Sequence, residues 1–450
     1  MTSSNPPAGP PAVDLLADPF GPLRTRGYLM LLVVAGVLGV LVSAGAYGFL
    51  QLVDKLQRTV YSSLPKALGF DGAPPWWPLP LLAIGGLLVA LTVRYLPGNG
   101  GHQPAEGLKA GGGAATAAEL PGILLAALAS LGLGAVIGPE APLIALGGGV
   151  ALYAFRLLKP DADTMTRGVV AAAGSFAAVS ALLGSPLLGA FLLMEASGLG
   201  GPMLGVVLLP GLLAAGVGSL VFTGLGSWTG LDAGTLSIPS LPPVHRPDIA
   251  EFGWALAIGV AAALLGTGIQ RLALRLQPRV NRRRLLLTPI MGLVTAGVAI
   301  AYAEGTGHDS SDVLFSGQSS LPQLLLHTGD YSAGALTLLV ACKGVAFCAC
   351  LSAFRGGPIF PALFLGAAGG IALSHLPGLP FLTGAAMGMG AMSVALLKLP
   401  MTAVLLATLL LGLDGVTVMP LVIVAVVVCH VTASRLVPPP AAPSTATRVH

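Results

Sequence analysis

Charge is scarce in this sequence. Only 9% of its 450 residues are Asp, Glu, Lys or Arg, against roughly 25% in a soluble domain. Water is therefore the wrong solvent for most of the surface, which excludes an ordinary soluble enzyme or binding module. Cysteine is also sparse. Cys342, Cys348, Cys350 and Cys429 all fall inside apolar runs and form no CxxC pair, which reads as reduced packing residues, neither disulfides nor a metal site. The seven histidines (102, 245, 308, 327, 375, 430, 450) show no metal-ligand spacing, so no cofactor is expected. A net charge of +4 is too small to imply a nucleic-acid partner. No GxSxG or HExxH occurs, which leaves a membrane-embedded enzyme as a distant alternative. Residues 1–20 hold five prolines and no basic n-region, so a cleaved signal peptide is not expected.

Apolar residues, glycine and proline are what the chain has in excess: 54% hydrophobic, 63 Gly and 37 Pro, with a mean hydropathy of +0.86. Membrane helices tolerate Gly and Pro because neighbouring helices and lined cavities re-satisfy freed backbone groups. The expected fold class is an all-α integral membrane protein built from close-packed and broken helices. A bilayer core needs about 20 apolar residues per helix. Runs of that order occur near 27–53, 76–96, 120–137, 203–223, 250–275, 285–303, 333–351 and 417–435, with shorter pieces at 141–157, 168–182, 186–196, 359–373, 383–397 and 400–413.

Charge placement orients the chain. Arg271, Arg275, Arg279, Arg282, Arg283 and Arg284 crowd what reads as one short connection, whereas 223–249 and 304–320 hold one Arg beside Asp232, Asp248, Glu304, Asp309 and Asp312. The positive-inside rule makes the first cytoplasmic and the other two external. Arg24 and Arg26 put the N-terminus inside; Lys55 and Arg58 then fall outside, against the rule. The expected organisation is a Pro-rich cytoplasmic segment 1–24, a first transmembrane repeat 25–225, an external connection 226–249, a second repeat 250–436 and a short cytoplasmic tail 437–450. That tail is too short for a regulatory domain. This is a multi-pass cell-membrane protein in contact with lipid, with both termini cytoplasmic.

The two repeats are visible in the punctuation. Gly138-Pro139-Glu140-Ala141-Pro142 opens an apolar run ending in Gly147-Gly148-Gly149, followed by Ala171 to Gly174 and by Gly184-Ser185-Pro186-Leu187. Gly356-Gly357-Pro358-Ile359-Phe360-Pro361 opens a run ending in Gly369-Gly370, followed by Ala385 to Gly388 and by Lys398-Leu399-Pro400-Met401. Interrupted segments in corresponding places point to a midplane site made from helix ends.

Gly/Pro punctuation before an apolar run marks a helix start, and the free N–H groups there attract anions. Three such starts stand out: Gly98 to Gly101, Gly138 to Pro142 and Gly356 to Pro361. Converging on one point, they would replace an anion's hydration shell with backbone donors and still let it go. Glu140 lies within one of them, and an ionisable residue at membrane depth is a functional-site hypothesis by default. Its carboxylate can occupy an anion position itself and swing away on protonation or displacement, which describes a gate. Glu195 ends the run that starts at Pro186 and is the one acidic residue between Asp163 and Asp232. It either faces an inner aqueous surface or is buried and paired.

In order and spacing these residues resemble the CLC chloride channel and transporter family, whose signatures are GSGIP, G(K/R)EGP and GxFxP. Gly98-Asn99-Gly100-Gly101-His102, Gly138 to Pro142 and Gly357 to Pro361 stand for the three, and Gly184 to Glu195 looks like the NAPLAG…EE segment. Lys343 resembles a family lysine ahead of the third motif. The likeness spans roughly 25–435. It implies a homodimer with one pore per subunit, inverted repeats, and transport of chloride or a similar small anion. It also implies an anion site at Asn99, Gly100, Gly138, Glu140, Ala141, Gly357, Ile359 and Phe360, with Glu140 as gate and Glu195 as candidate proton relay.

There are departures from the pattern. Asn99 stands at the family serine, with an apparent one-residue insertion before Glu106. Pro139 and Pro358 remove N–H donors. The family's inner proton glutamate aligns with Ala196, and its C-terminal tyrosine has no counterpart, Tyr331 being the last. These departures imply passive or poorly proton-coupled anion movement, with a proton-coupled chloride or fluoride exchanger as the rival and a non-conducting scaffold as a third reading.

Overall fold

The computed structural model describes residues 22–107, 114–198, 202–230 and 247–436; most of the 1–24 segment, the centre of the 226–249 connection and the 437–450 tail lie outside the described residues. Fourteen helices of eleven residues or more carry the fold. The first seven are α1 (Arg26–Arg58), α2 (Pro78–Tyr95), α3 (Leu120–Gly132), α4 (Glu140–Leu158), α5 (Thr164–Leu183), α6 (Pro186–Ser197) and α7 (Pro202–Thr229). The second seven are α8 (Ile249–Arg282), α9 (Arg284–Thr306), α10 (Ala333–Ala353), α11 (Ile359–Leu373), α12 (Phe381–Leu397), α13 (Pro400–Leu410) and α14 (Gly412–Leu436). Among the described residues there is no strand, and nine helices are long and apolar enough to cross a membrane.

Each helix in the first half has a partner seven places on. α4 packs on α5 as α11 packs on α12; α5 packs on α7 as α12 on α14; α1 packs on α7 as α8 on α14. The halves meet where like touches like, at α2 against α9 and α6 against α13.

Small residues make the matched pairs possible. A Cβ on Gly147 of α4 would stand 2.4 Å from the carbonyl of Gly174 in α5, and one on Gly174 would stand 2.2 Å from that of Gly147. In the second half, Gly366 and Gly388 do the same to each other at 2.2 and 2.0 Å. Lipid tails are as apolar as leucine, so close backbone approach is what holds such helices together. The expected match of Gly174 with Gly388 is therefore a packing equivalence. Gly147, however, pairs structurally with Gly366, and Gly369-Gly370 lies one turn further on.

The sequence expectations fail in three places. The run at 120–137 does not span: α3 stops at Gly132, and Gly134 takes φ +99°, a conformation open to glycine without strain. Conversely, 141–157 and 168–182 belong to α4 and α5, of 19 and 20 residues, both long enough to cross. The Asp163 side chain caps α5 through Thr166 N at 2.8 Å, extending it a turn ahead of the apolar run. Finally, the arginine-rich connection is mostly helix: Arg271, Arg275, Arg279 and Arg282 ride the last turns of α8, and a single residue, Arg283, separates α8 from α9. Cations in a last turn suit the helix dipole.

Candidate functional site

α4 and α11 start at one point. Pro139 and Pro358 are their N-caps, and proline's fixed φ sets the entry into each helix. Just before them Gly138 and Gly357 exchange backbone hydrogen bonds, Gly138 N to Gly357 O at 2.7 Å and Gly357 N to Gly138 O at 2.6 Å. Residues that are 219 positions apart in the chain thereby tie the two helix starts together.

The Glu140 side chain lies across this tie. It is fully buried. Its Oε1 accepts from Phe360 N at 3.0 Å, and the amides of Ile359 and of Glu140 itself are also directed at the carboxylate. Oε2 has no hydrogen-bond partner. The carboxylate can lie here only against glycine: a Cβ on Gly357 would sit 1.9 Å from Oε2, and one on Gly138 would sit 2.3 Å from both oxygens, so either would displace it. The positive ends of two helix dipoles thus converge on one half-held carboxylate.

The structure brings Gly138, Glu140, Ala141, Gly357, Ile359 and Phe360 together at the two helix starts. The first motif is not a helix start. Pro97–Gly100 form a 3₁₀ turn in which Gly98 and Asn99 take φ +85° and +51°, so no helix dipole emerges at 99–101. The glycines there allow an αL path that a helix cannot follow. The Asn99 side chain is exposed; its carbonyl accepts from Arg355 Nε at 3.2 Å. Gly98, Gly100 and Gly101 do reach the site, because they share a cavity of about 980 Å³ with Ala141, Pro142, Gly356 and Arg355. α5 and α6 complete its wall through residues such as Ser175 and Ser197. Glu119, at the head of α3, also lines it. The Thr116 backbone N–H and hydroxyl, at 2.7 and 2.9 Å from Oε2, hold that carboxyl below its ordinary range.

Glu195 is half-buried and paired. Its Oε1 accepts from Met401 N at 3.0 Å, and its Oε2 accepts from Thr402 N at 2.8 Å and Thr402 Oγ1 at 2.7 Å. It caps α13 from α6, across the line where the two halves meet. Lys343 is wholly buried; its Nζ donates to the carbonyls of Asp312, Val313 and Leu314 at 2.8, 3.2 and 3.1 Å and lies 4.2 Å from the centre of the Phe364 ring. The residue that sequence reasoning missed is Arg355. It adjoins the third motif without belonging to it, and the signal that could have found it is a lone cation between two apolar runs.

The comparisons agree with this geometry. The family model described as voltage gated chloride channel matches residues 82–434. A protein carrying the name ion-transport protein YfeO in Salmonella paratyphi A is 30% identical over 365 residues, 79% of this chain and 84% of that protein; the one in Salmonella typhimurium matches to the same extent. Among solved structures, a slow cyanobacterial Cl⁻/H⁺ antiporter superposes with a TM-score of 0.73 at 20% identity, over 90% of this chain and 94% of that one. A CLC-type fluoride/proton antiporter gives 0.64 at 18% identity, over 91% and 97%. These structures carry the fold, and the two helix starts tied at Glu140 carry the motif order. The chain belongs to the voltage gated chloride channel family, an ion-transport family and not an enzyme family.

Proposed function

We propose that this protein moves chloride or a similar small inorganic anion across the cell membrane through a path gated by Glu140, passively or with poor coupling to protons. The observation that carries this reading is the half-held carboxylate: one oxygen on an amide of α11, the other unpartnered, packed against Gly138 and Gly357. An ionised Glu140 takes the amides that an anion would use. Protonation weakens its hold on Phe360 N, and an anion then competes for the vacated donors. Asn99, Gly100, Gly138, Ala141, Gly357, Ile359 and Phe360 make up the proposed path beside it.

Poor coupling follows from the inner side. Ala196 cannot titrate, and both oxygens of Glu195 are committed to α13. The rival reading, a proton-coupled exchanger, is favoured by two of the structural relatives, a chloride/proton and a fluoride/proton antiporter. In that case Glu195 would be the inner proton carrier. A homodimer with one path per subunit completes the proposal, with both termini cytoplasmic, an orientation supported by the arginines in the last turns of α8, by Arg24 ahead of α1 and by Arg26 at its first residue.

Liposomes holding the purified protein test both readings. Flux of Cl⁻, NO₃⁻ and F⁻ is expected, with no uphill proton movement driven by an anion gradient. Proton pumping at a fixed ratio would overturn passive transport, and its loss in Glu195→Gln would make Glu195 the relay.

A further inference from the structure

The cavity beside Glu140 is lined mainly by Gly, Ala and aliphatic residues, yet beside the Glu119 carboxylate that Thr116 holds it contains a full positive charge. Arg355 is 3% exposed and lines that cavity next to Gly356. Its backbone N–H donates to Ser130 Oγ at 3.2 Å, which pins the residue ahead of α11. Its guanidinium makes two bonds, both to carbonyls: Nε to Asn99 O and Nη1 to Phe354 O, each 3.2 Å. Among the described residues Nη2 takes no acceptor, and no carboxylate lies within ion-pair distance. The charged groups whose fields reach it are Glu106 and, opposing it, Arg284. Glu106 also accepts from Gln277 Nε2 at 3.4 Å.

A buried charge normally costs several kcal/mol unless it is paired and its donors are used. Lys343 shows what compensation looks like in this protein: three carbonyls and an aromatic face surround one ammonium. Arg355 has two carbonyls for five N–H donors, and a cavity where the rest would go. The space is large enough to admit a hydrated ion. The 3₁₀ turn Pro97–Gly100 explains the placement, since the αL backbone of Asn99 turns its carbonyl onto Nε.

We propose that Arg355 is a ligand for the transported anion, holding a small monovalent inorganic anion in this cavity directly before the Glu140 gate. The first motif then acts through its carbonyl, as the clamp on that arginine, and not as a helix-dipole site. Gly356 lines the cavity, and its neighbour Gly357 touches the Glu140 carboxylate, so an ion leaving Arg355 is one step from the amides that Glu140 occupies. This inference rests on the anion-transport reading and names a further ligand for it.

Bromide provides the direct test on the unaltered protein. Crystals of the full chain grown in sodium bromide are expected to show an anomalous peak within hydrogen-bond reach of the Arg355 guanidinium. Bromide found only elsewhere along the path would overturn the proposal while leaving transport intact. In liposomes, Arg355→Gln is expected to raise the apparent KM for chloride by about tenfold or more, the loss of one charge-assisted contact, and Arg355→Lys to recover most of it. An unchanged chloride KM in Arg355→Gln, with wild-type flux present, would also overturn it. Absence of flux of any anion by the wild type would instead remove the transport reading itself.

Discussion

Glu140 and Glu195 are both carboxylates at helix N-termini, and they are held in opposite ways. Glu195 reaches from α6 to α13 and satisfies both oxygens with three donors, two amides and the Thr402 hydroxyl. Glu140 lies in the first turn of its own helix, fully buried, with one oxygen on Phe360 N and the other without a partner. A carboxylate whose acceptors are all used is a fastener, and moving it costs about the value of several charge-assisted bonds. A carboxylate with one oxygen free in a glycine-lined slot has less to lose by leaving. The proposed cap and the proposed gate thus differ in how many carboxylate oxygens are committed.

Neutralising Glu140 should have the largest effect on this comparison. Anion flux is expected to rise as pH falls, because protonation frees the amides of α11. Glu140→Gln should remove that dependence and leave flux high at all pH values. A pH profile unchanged in well-folded Glu140→Gln would end the gating role. Filling the slot comes next. Gly357→Ala puts a Cβ where Oε2 now lies, so either the carboxylate is expelled or the tie to Gly138 opens. Overpacking of this kind costs roughly 1–3 kcal/mol, visible as a lower Tm together with weaker pH dependence of flux. If both stayed at wild-type values, the carboxylate would not be seated between the two glycines.

Glu195→Gln should do the converse. It is expected to lower stability by about 1–3 kcal/mol through loss of charge-assisted bonds to α13, with the pH profile of flux unchanged. A changed pH profile at normal Tm would move Glu195 from fastener to relay. The smallest effect belongs to Thr402→Val, which deletes one hydroxyl bond and keeps both amides on the carboxylate. A loss of about 1 kcal/mol is expected, and a much larger loss would mean that the cap is a cooperative unit.

Much of this site was legible before any coordinates. The punctuation Gly-Pro-Glu140-Ala-Pro and Gly-Gly-Pro-Ile-Phe360-Pro marked two helix starts because proline and glycine constrain backbone wherever they occur. The repeat was legible because both halves use the same small-residue packing. The first motif misled, since glycines before an apolar run suit a helix start and an αL turn equally well. Arg355 was not legible because a lone arginine between apolar runs is most often a lipid-interface residue, and burial is not written locally.

By itself the sequence determined that the chain lives in a membrane, that its two halves correspond, and which acidic residue belongs to a helix start. All of these are matters of composition, order and local backbone constraint. Only the tertiary structure decided that Gly138 bonds Gly357, that Glu195 is spent on α13, and that Arg355 faces a cavity with a donor to spare. Each of those depends on partners far apart in the chain. Their distance is set by how the two halves pack, which no stretch of residues encodes alone.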